Sequence, residues 1–271
     1  MQNTKLKNII QDSLLFKGIS HNFRNLSDFL ECVGHIGITF KEVLFLFFSG
    51  KIKFKRIIIE ANRIGVDSLP LTMMISWLAG MIIALQLAIE MVKQGGGEFV
   101  GAFVTLVMLK ELGPIMAAFA VVFMEGSSMA AEIASMKISN QVDAMKTLQV
   151  NPLAYLIAPK VAGAILIMPF ITVIANTVGI LGGLFTSVTN TELAVPAYLE
   201  SIRLGLSIKD IVASLTKGAV FGCLIAIICS SIGYQTKGGA IDVGKSTTKA
   251  VVWSIVAAAI FDYIISAIFI D

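Results

Sequence analysis

The chain has little charge and almost no histidine. Only 14% of its 271 residues are Asp, Glu, Lys or Arg, whereas 56% are hydrophobic and the mean hydropathy is +0.85. Soluble domains average about 25% charged residues, so this composition predicts an integral membrane protein. The two histidines, His21 and His35, show no metal-site spacing, and no nucleophile with a matched base is visible. We therefore expect a protein that is not an enzyme and has no metal or cofactor.

Cysteine is also scarce, and its spacing suggests neither a metal site nor a disulfide. Cys223 and Cys229 fall in one apolar run, and Cys32 lies far from them, so all three are interpreted as small apolar fillers. The basic N-terminal stretch lacks interleaved aromatic residues and a folded basic domain. We expect it to lie near anionic lipid headgroups and not to bind nucleic acid.

Five apolar runs are long enough to cross a membrane, which takes about 20 residues in a helix. They are Val66 to Val92, Phe99 to Met124, Leu156 to Val188, Ile211 to Ile232 and Ala250 to Ile270. The predicted fold class is an all-α integral membrane protein with five transmembrane helices. Residues 64–271 are predicted to form the transmembrane domain, and residues 1–63 a basic N-terminal extension.

A helical apolar pattern precedes the first run. From Asn25 to Phe48, apolar residues recur at steps of three and four, opposite Asp28, Glu31 and Glu42. This pattern predicts an amphipathic helix at the membrane interface. A short soluble helix packed on the bundle is the alternative.

The basic residues are concentrated in three regions. Ten of the 21 Lys and Arg residues precede Ile64, three lie between Lys137 and Lys160, and three between Lys237 and Lys249. The positive-inside rule places these regions in the cytoplasm, so we expect a cytoplasmic N-terminus and a periplasmic C-terminus. Lys217 is counted with the few basic residues on the outer side, which leaves Lys110 inside the membrane.

Lys110 and Glu111 are adjacent ionisable residues in an apolar run. Such residues usually pair, face a bundle interior or line a polar cavity. Adjacent helical residues point about 100° apart, so we expect them to contact different neighbours. A proton relay, polar anchors in a substrate cavity and an ion pair that fixes helix packing all remain open. Glu125 and Glu132, near the cytoplasmic boundary, are expected to be solvated or partnered and not deeply buried.

The longest cytoplasmic segment predicts a short helix, about 137–150. Its central part, Ser139 to Leu148, is expected to be capped by Ser139. It is interpreted either as a docking element for a soluble partner or as a plain linker.

One motif is judged a false match. Gly239, Gly244, Lys245 and Ser246 fit the phosphate-loop pattern G-x-x-x-x-G-K-[ST] in full. That loop works between a strand and a helix of an α/β domain, whereas here it joins two predicted spans. We expect no nucleotide binding.

Several segments together resemble one family, the MlaE/YrbE-type permeases of lipid-transporting ABC systems. The segments are Lys110-Glu111-Leu112-Gly113-Pro114, Ala130-Ala131-Glu132-Ile133, Gln141 and Asp143 running into Val150-Asn151-Pro152, and the stretch from Gly233-Tyr234 to Val252.

The resemblance implies a homodimeric permease of an inner membrane, bacterial or plastid, that moves phospholipid. It also implies two partners, a cytoplasmic ABC ATPase and an MCE-domain lipid carrier on the outer side. The implied cavity or gating residues are Leu85, Gln86, Lys110 and Glu111. The implied ATPase-coupling residues are Ser139, Gln141, Val142, Asp143, Met145 and Leu148. An ion-coupled secondary transporter using Glu111 and a structural scaffold remain the alternatives.

Overall fold

The computed structural model describes residues 33–47, 53–190 and 193–269, and all regular secondary structure in this part of the chain is helical. Five segments are long and apolar enough to cross a membrane, and we number them spans one to five. They are Phe54–Lys93, Gly97–Ile138, Leu153–Asn190, Ile208–Gln235 and Ala240–Phe269. Each predicted apolar run lies in one of them over the described residues, which confirms the all-α fold class.

The α-helices are numbered in chain order. They are α1 (33–47), α2 (Phe54–Lys93), α3 (Val100–Val107), α4 (Gly113–Val121), α5 (Ser127–Ile138), α6 (Gln141–Thr147), α7 (Ala158–Asn190), α8 (Val195–Gly205), α9 (Ile208–Gln235) and α10 (Ala240–Phe269). The helix α2 runs without a break through residue 63, so the boundary of the N-terminal extension stays a prediction. Sequence patterns did not predict α8.

Three π-helical turns interrupt the spans. Met108–Leu112 and Val122–Gly126 divide span two into α3, α4 and α5, and Leu153–Ile157 begins span three. A π-turn adds a residue to a helical turn and changes which side chains face the neighbouring helices, and such turns are frequent at functional sites. Two of the three carry glutamates that belong to the clusters described below.

Small residues let α2 and α7 pack closely. Small buried residues recur mostly every four positions along α2, and Ile64 is buried among them. The small ones are Ala61, Gly65, Ser68, Thr72, Ser76, Gly80, Ala84 and Ala88. A Cβ atom added to Gly80 would overlap the carbonyl oxygen of Gly179 on α7. In lipid, no hydrophobic effect drives helices together. Close van der Waals contact between backbones, which small residues allow, stabilises the packing of α2 on α7 instead.

The remaining core lies between α5, α7, α9 and α10. The side chain of Phe221 on α9 is completely buried there, and so is that of Ile133 on α5. The cysteines described on α9 fit the sequence interpretation, because Cys229 is buried beside Ser254 and Cys223 is partly buried against the core. Cys32 lies outside the described residues.

The N-terminal helix α1 packs on this core along one stripe. Val43 and Leu46 are buried, and the Thr39 hydroxyl lies 3.3 Å from that of Ser231 on α9. Large apolar side chains on other faces are exposed, including Phe45 at 71%. A helix with that much exposed apolar surface fits a membrane interface better than water. The predicted beginning of this helix at Asn25 lies outside the described residues.

Candidate functional site

A buried lysine on span four, Lys217, lies at the centre of a polar cluster at membrane depth. It follows the first residue of α9 by nine positions, about 13 Å along the helix axis, and its side chain is 2% exposed. Its ammonium nitrogen lies 2.9 Å from Oε2 of Glu111 and 2.8 Å from Oδ1 of Asp262. The cluster therefore connects spans two, four and five.

A serine on α10 completes the cluster. The Oγ of Ser266 accepts a hydrogen bond from Lys217 at 2.6 Å and donates one to Oε1 of Glu111 at 2.8 Å. Buried charges are tolerated only when they are paired and hydrogen-bonded, and these contacts meet that condition for Lys217. Because two carboxylates share one ammonium group, the cluster carries one excess negative charge when both are ionised.

The backbone of span two contributes a further contact. In a regular α-helix the Lys110 carbonyl would accept a hydrogen bond from the amide of residue 114. Residue 114 is Pro114, which has no amide hydrogen, and the preceding segment Met108–Leu112 is a π-turn. Lys217 donates a hydrogen bond to this carbonyl. The proline thus frees an acceptor that a lysine of span four satisfies.

Lys110 itself points to a different partner. Its ammonium lies 3.4 Å from Oδ1 of Asp210, near the beginning of α9, and the two side chains are 42% and 13% exposed. Glu111 pairs with Lys217 instead. This confirms the prediction that the adjacent residues Lys110 and Glu111 contact different neighbours.

The structure corrects the position of Lys217. The basic-residue count placed it on the outer side, but it is buried within span four. A signal was present in the sequence, because Lys217 falls inside the apolar run Ile211 to Ile232, and an ionisable residue in such a run indicates a polar site. The same signal applied to Asp262 in the fifth run.

Leu85 and Gln86 are both exposed on α2. Among the described residues, the hydrogen bonds and ion pairs of the Lys217 cluster do not include Gln86. Their exposure leaves them accessible to a lipid or to a second subunit. Their role in a cavity stays a prediction.

A second buried lysine, Lys160, lies in the first turn of α7 and belongs to one of the three basic regions predicted to share one side of the membrane. Its side chain is 2% exposed, and its ammonium lies 3.1 Å from Oε2 of Glu60 and 3.0 Å from Oε2 of Glu132. This cluster connects spans one, two and three. Glu132 is partnered, as the sequence predicted.

Arg63 on α2 adds a second cation to the Lys160 cluster. Its guanidinium donates hydrogen bonds to Glu132 at 3.0 Å and to the Ser128 hydroxyl at 2.7 Å, and its Nε lies 3.6 Å from Oε2 of Glu125. Glu125 is only 4% exposed, so the expectation that it is not deeply buried is wrong. It lies in the π-turn Val122–Gly126, which a regular helical pattern does not anticipate.

The predicted cytoplasmic helix is present as α6, Gln141–Thr147, but its cap differs from the prediction. Ser139 does not cap it. The Ser139 hydroxyl donates to the carbonyl of Ser135 at the end of α5, and Asn140, in the left-handed conformation with φ of 59°, precedes α6. Ser139 and Asn140 are both residue types that favour a helix boundary, and Asn140 forms the turn between α5 and α6.

The helix α6 is mostly exposed but contacts the spans through a few side chains. Of the predicted coupling residues, Val142 is buried, Met145 packs partly against the core, and Leu148 is 74% exposed. Asp143 accepts hydrogen bonds from Lys137 at the end of span two and from Lys146.

These bonds to Lys137 and Lys146 lower the pKa of the Asp143 carboxyl group below its usual value. Both ammonium groups also lie about 6 Å from the ring of Tyr234, at the end of α9. Through these contacts α6 is joined to spans two and four.

The phosphate-loop match does not form a loop around an anion. Gly239 directly precedes α10, whereas Gly244, Lys245 and Ser246 lie within that helix. The Ser246 hydroxyl accepts a hydrogen bond from Thr236. The segment joins two helices, without the strand-to-helix context that the motif requires.

Comparisons with known proteins agree on one family. Residues 57–268 match the model of the family described as Permease MlaE. A probable ABC transporter permease protein of Rickettsia typhi is 37% identical over 203 residues, which cover 75% of this chain and 78% of that protein. One of Synechocystis is 34% identical over 217 residues, 80% of this chain and 82% of that protein.

A plant protein is also similar. The chloroplastic protein TRIGALACTOSYLDIACYLGLYCEROL 1 of Arabidopsis thaliana is 33% identical over 228 residues, which cover 84% of this chain and 65% of that protein. The family match over residues 57–268 reaches into all five spans and contains both buried lysine clusters. The chain therefore belongs to the MlaE permease family, as the non-catalytic transmembrane subunit of an ABC transporter that works with an ATPase subunit.

Proposed function

We propose that this chain forms the membrane pathway of a lipid-transporting ABC complex. In this proposal a homodimer of the chain moves phospholipid between the inner membrane and an MCE-domain carrier on the outer side. A cytoplasmic ATPase supplies the energy. The name of the Arabidopsis relative, which contains that of a diacylglycerol glycolipid, supports a lipid as the substrate class.

The observation that carries the proposal is the half-exposed edge of the Lys217 cluster. Lys217 is enclosed, whereas the side chains of Glu111 and Lys110 are 43% and 42% exposed. Charged groups exposed at membrane depth require a polar space or a partner subunit beside them. A second copy placed over this surface would enclose a cavity with a few polar anchors among apolar walls.

Such a cavity suits an amphiphilic lipid, because ligand sites are mostly apolar with a small number of placed polar groups. In this arrangement Lys110 is the cation available to a headgroup phosphate. Glu111 is held by Lys217 and Ser266 and fixes the polar side of the cavity. Leu85 and Gln86, exposed on α2, are proposed to line the same cavity.

The helix α6 is proposed to couple the ATPase to the spans. Its exposed residues offer a surface to a soluble partner, and the Asp143 contact with Lys137 ties it to span two. Movement of α6 by the ATPase would reach Glu111 along span two as a rigid-body displacement.

The partners are tested by purifying the tagged full-length chain at native expression level under mild extraction. We expect an ATPase, an MCE-domain protein and phospholipid to copurify, and mass spectrometry identifies each. Recovery of the chain alone, under conditions that preserve other membrane complexes, would contradict the proposal.

The role of Glu111 is tested in the purified complex by ATP-dependent transfer of a fluorescent phospholipid between the bilayer and the carrier. We expect Glu111→Gln to lower the transfer rate at least about tenfold, with subunit recovery unchanged, because it weakens the charge-assisted hydrogen bond with Lys217, an interaction worth about 1.5–3 kcal/mol. Glu42→Gln, at an exposed position on α1, is the matched control. Equal rates for Glu111→Gln and wild type would remove Glu111 from the mechanism.

The alternatives give different results in the same assay. Transfer that continues without ATPase and follows an imposed proton gradient would identify an ion-coupled secondary transporter with Glu111 as its proton site. A wild-type complex that assembles but moves no lipid would identify a scaffold.

A further inference from the structure

An apolar groove lies between α1 and spans four and five. Its volume is about 690 Å³, and every side chain that lines it is apolar, including Phe40 on α1, Leu224 on α9, and Trp253 and Phe261 on α10. The volume falls within the range of about 300–1,000 Å³ that is typical of ligand sites. Trp253 and Phe261 are eight residues apart, so the groove extends about 12 Å along α10.

A basic pocket opens beside one end of this groove. It has a volume of about 420 Å³, and its lining includes Lys245, Thr248 and Lys249 together with Trp253. Because Trp253 lines both spaces, the pocket and the groove are adjacent. A cationic space thus lies next to an apolar one, as the two ends of a phospholipid require.

The two lysines are available to bind an anion. Lys245 is 74% exposed, and its one described ion pair, with Asp242 at 3.4 Å, is between exposed groups and therefore weak. Lys249 is exposed and has no hydrogen-bond or ion-pair partner among the described residues. Like charges four residues apart on a helix repel each other, so an anion between Lys245 and Lys249 relieves this repulsion.

We propose that the pocket and the groove form one binding site for an anionic phospholipid. Its phosphate lies between Lys245 and Lys249, and one acyl chain lies in the groove from Trp253 toward Phe261, beneath α1. The lipid comes from the leaflet on the side of the membrane to which the three basic regions of the sequence, including Lys237 to Lys249, are assigned. This site is separate from the pathway proposed for transport, and its occupancy does not require transport.

The N-terminal residues 1–32 are the competing occupant from this chain. They contain four basic residues, Lys5, Lys7, Lys17 and Arg24, against three acidic ones, Asp12, Asp28 and Glu31, and so carry no net negative charge. A segment without net negative charge gains no net attraction from a pocket that contains Lys245 and Lys249, whereas a lipid phosphate does. Charge complementarity therefore favours the lipid.

Tryptophan fluorescence tests the site directly. The chain has two tryptophans, so Trp77→Phe leaves Trp253 as the sole one in the full-length protein. This variant is placed in nanodiscs that contain phospholipid with brominated acyl chains, which quench tryptophan on contact. We expect brominated phosphatidylglycerol to quench Trp253 more strongly than brominated phosphatidylcholine at the same mole fraction.

The lysine variants test headgroup recognition. We expect Lys245→Gln and Lys249→Gln each to lower the preference for phosphatidylglycerol about fivefold, the effect of one basic residue near an anionic membrane surface. Lys237→Gln is the matched control, because Lys237 is exposed at the same helix connection and does not line the pocket. An equal loss in Lys237→Gln, or equal quenching by both lipids in the parent protein, would overturn the proposal.

Glycine variants on α1 test the acyl-chain groove. A Cβ atom added to Gly37 or to Gly34 meets no atom within 4 Å, but only Gly37 lines the groove. We expect Gly37→Leu to fill the groove and reduce quenching by both brominated lipids at least twofold, and Gly34→Leu to leave it unchanged. Absence of quenching in the parent protein would mean that protein, such as the N-terminal segment, covers the groove, and the proposal would be wrong.

Discussion

The two buried lysines of this protein have similar partners in different surroundings. Lys217 pairs with Glu111 and Asp262, and Lys160 pairs with Glu60 and Glu132. Each lysine side chain is 2% exposed, and each contacts carboxylates from two other spans. The two clusters differ in their depth and in the number of cations they contain.

Their depth follows from the lengths of the spans. A hydrocarbon core takes about 20 helical residues. Span four has 28 residues and span three has 38, so centring each span leaves about four and nine residues outside the core at each end. Lys217, the tenth residue of span four, therefore lies inside the hydrocarbon. Lys160, the eighth residue of span three, lies at its edge.

The number of cations also differs. Arg63 joins the Lys160 cluster and pairs with both Glu125 and Glu132. In the Lys217 cluster one ammonium group serves both carboxylates, since Lys110 is directed to Asp210. The deeper cluster thus has fewer cations for its acidic groups, and its stability depends more heavily on one lysine.

Span two is common to both clusters. It contributes Glu132 to the Lys160 cluster and Glu111 to the Lys217 cluster. Through Glu132 it is joined to spans one and three, and through Glu111 to spans four and five. A movement of span two would therefore change the contacts of every other span, which suits an element that also carries α6 at its end.

The largest expected effect is that of Lys217→Met. The change leaves Glu111 and Asp262 without a cation inside the hydrocarbon, and breaking a buried pair in this way costs about 3–5 kcal/mol. We expect a loss of that size in the free energy of unfolding, measured by titration of the detergent-solubilised protein with sodium dodecyl sulfate.

A triple variant separates charge from packing at this position. Lys217→Met combined with Glu111→Gln and Asp262→Asn removes all three charges, and we expect it to recover at least half of the lost free energy. If the triple variant is as unstable as Lys217→Met alone, the lysine stabilises the bundle by packing and not by its charge.

A smaller effect is expected for Lys160→Met. Arg63 continues to pair with Glu132, and the partly exposed side chains of Glu60 and Glu132 lie at the edge of the hydrocarbon, where water can reach them. We expect a loss of about 1–3 kcal/mol in the same titration, the range for a buried hydrogen-bonding group left without its partner. A loss equal to that of Lys217→Met would show that depth and the second cation make no difference.

The sequence predicted the spans and one half of the site. Length and hydropathy are local properties, so the five runs and the adjacent pair Lys110 and Glu111 could be recognised directly. The partners of Glu111 could not, because Lys217 and Ser266 are 106 and 155 residues away and helical spacing gives no information at that distance. The π-turns were likewise missed, and with them the burial of Glu125, because no residue pattern distinguishes them from α-helix.

The smallest effect is expected at Asp143, a paired carboxylate outside the spans. Hydrogen bonds from Lys137 and then Lys146 lower its pKa in the folded protein. A lowered pKa means that this pairing contributes to stability above the pKa of the unfolded chain, about 3.9. The contribution is lost as the pH falls through the pKa of the folded protein.

We expect a carboxyl NMR titration of Asp143 to give a pKa below 3.9, and Lys137→Gln to raise it. An unchanged pKa in Lys137→Gln would mean that α6 is not held to span two by this pair. Because the side chain of Asp143 is half exposed, water solvates its charge when the partner is removed, and unfolding in detergent should change far less than in Lys217→Met.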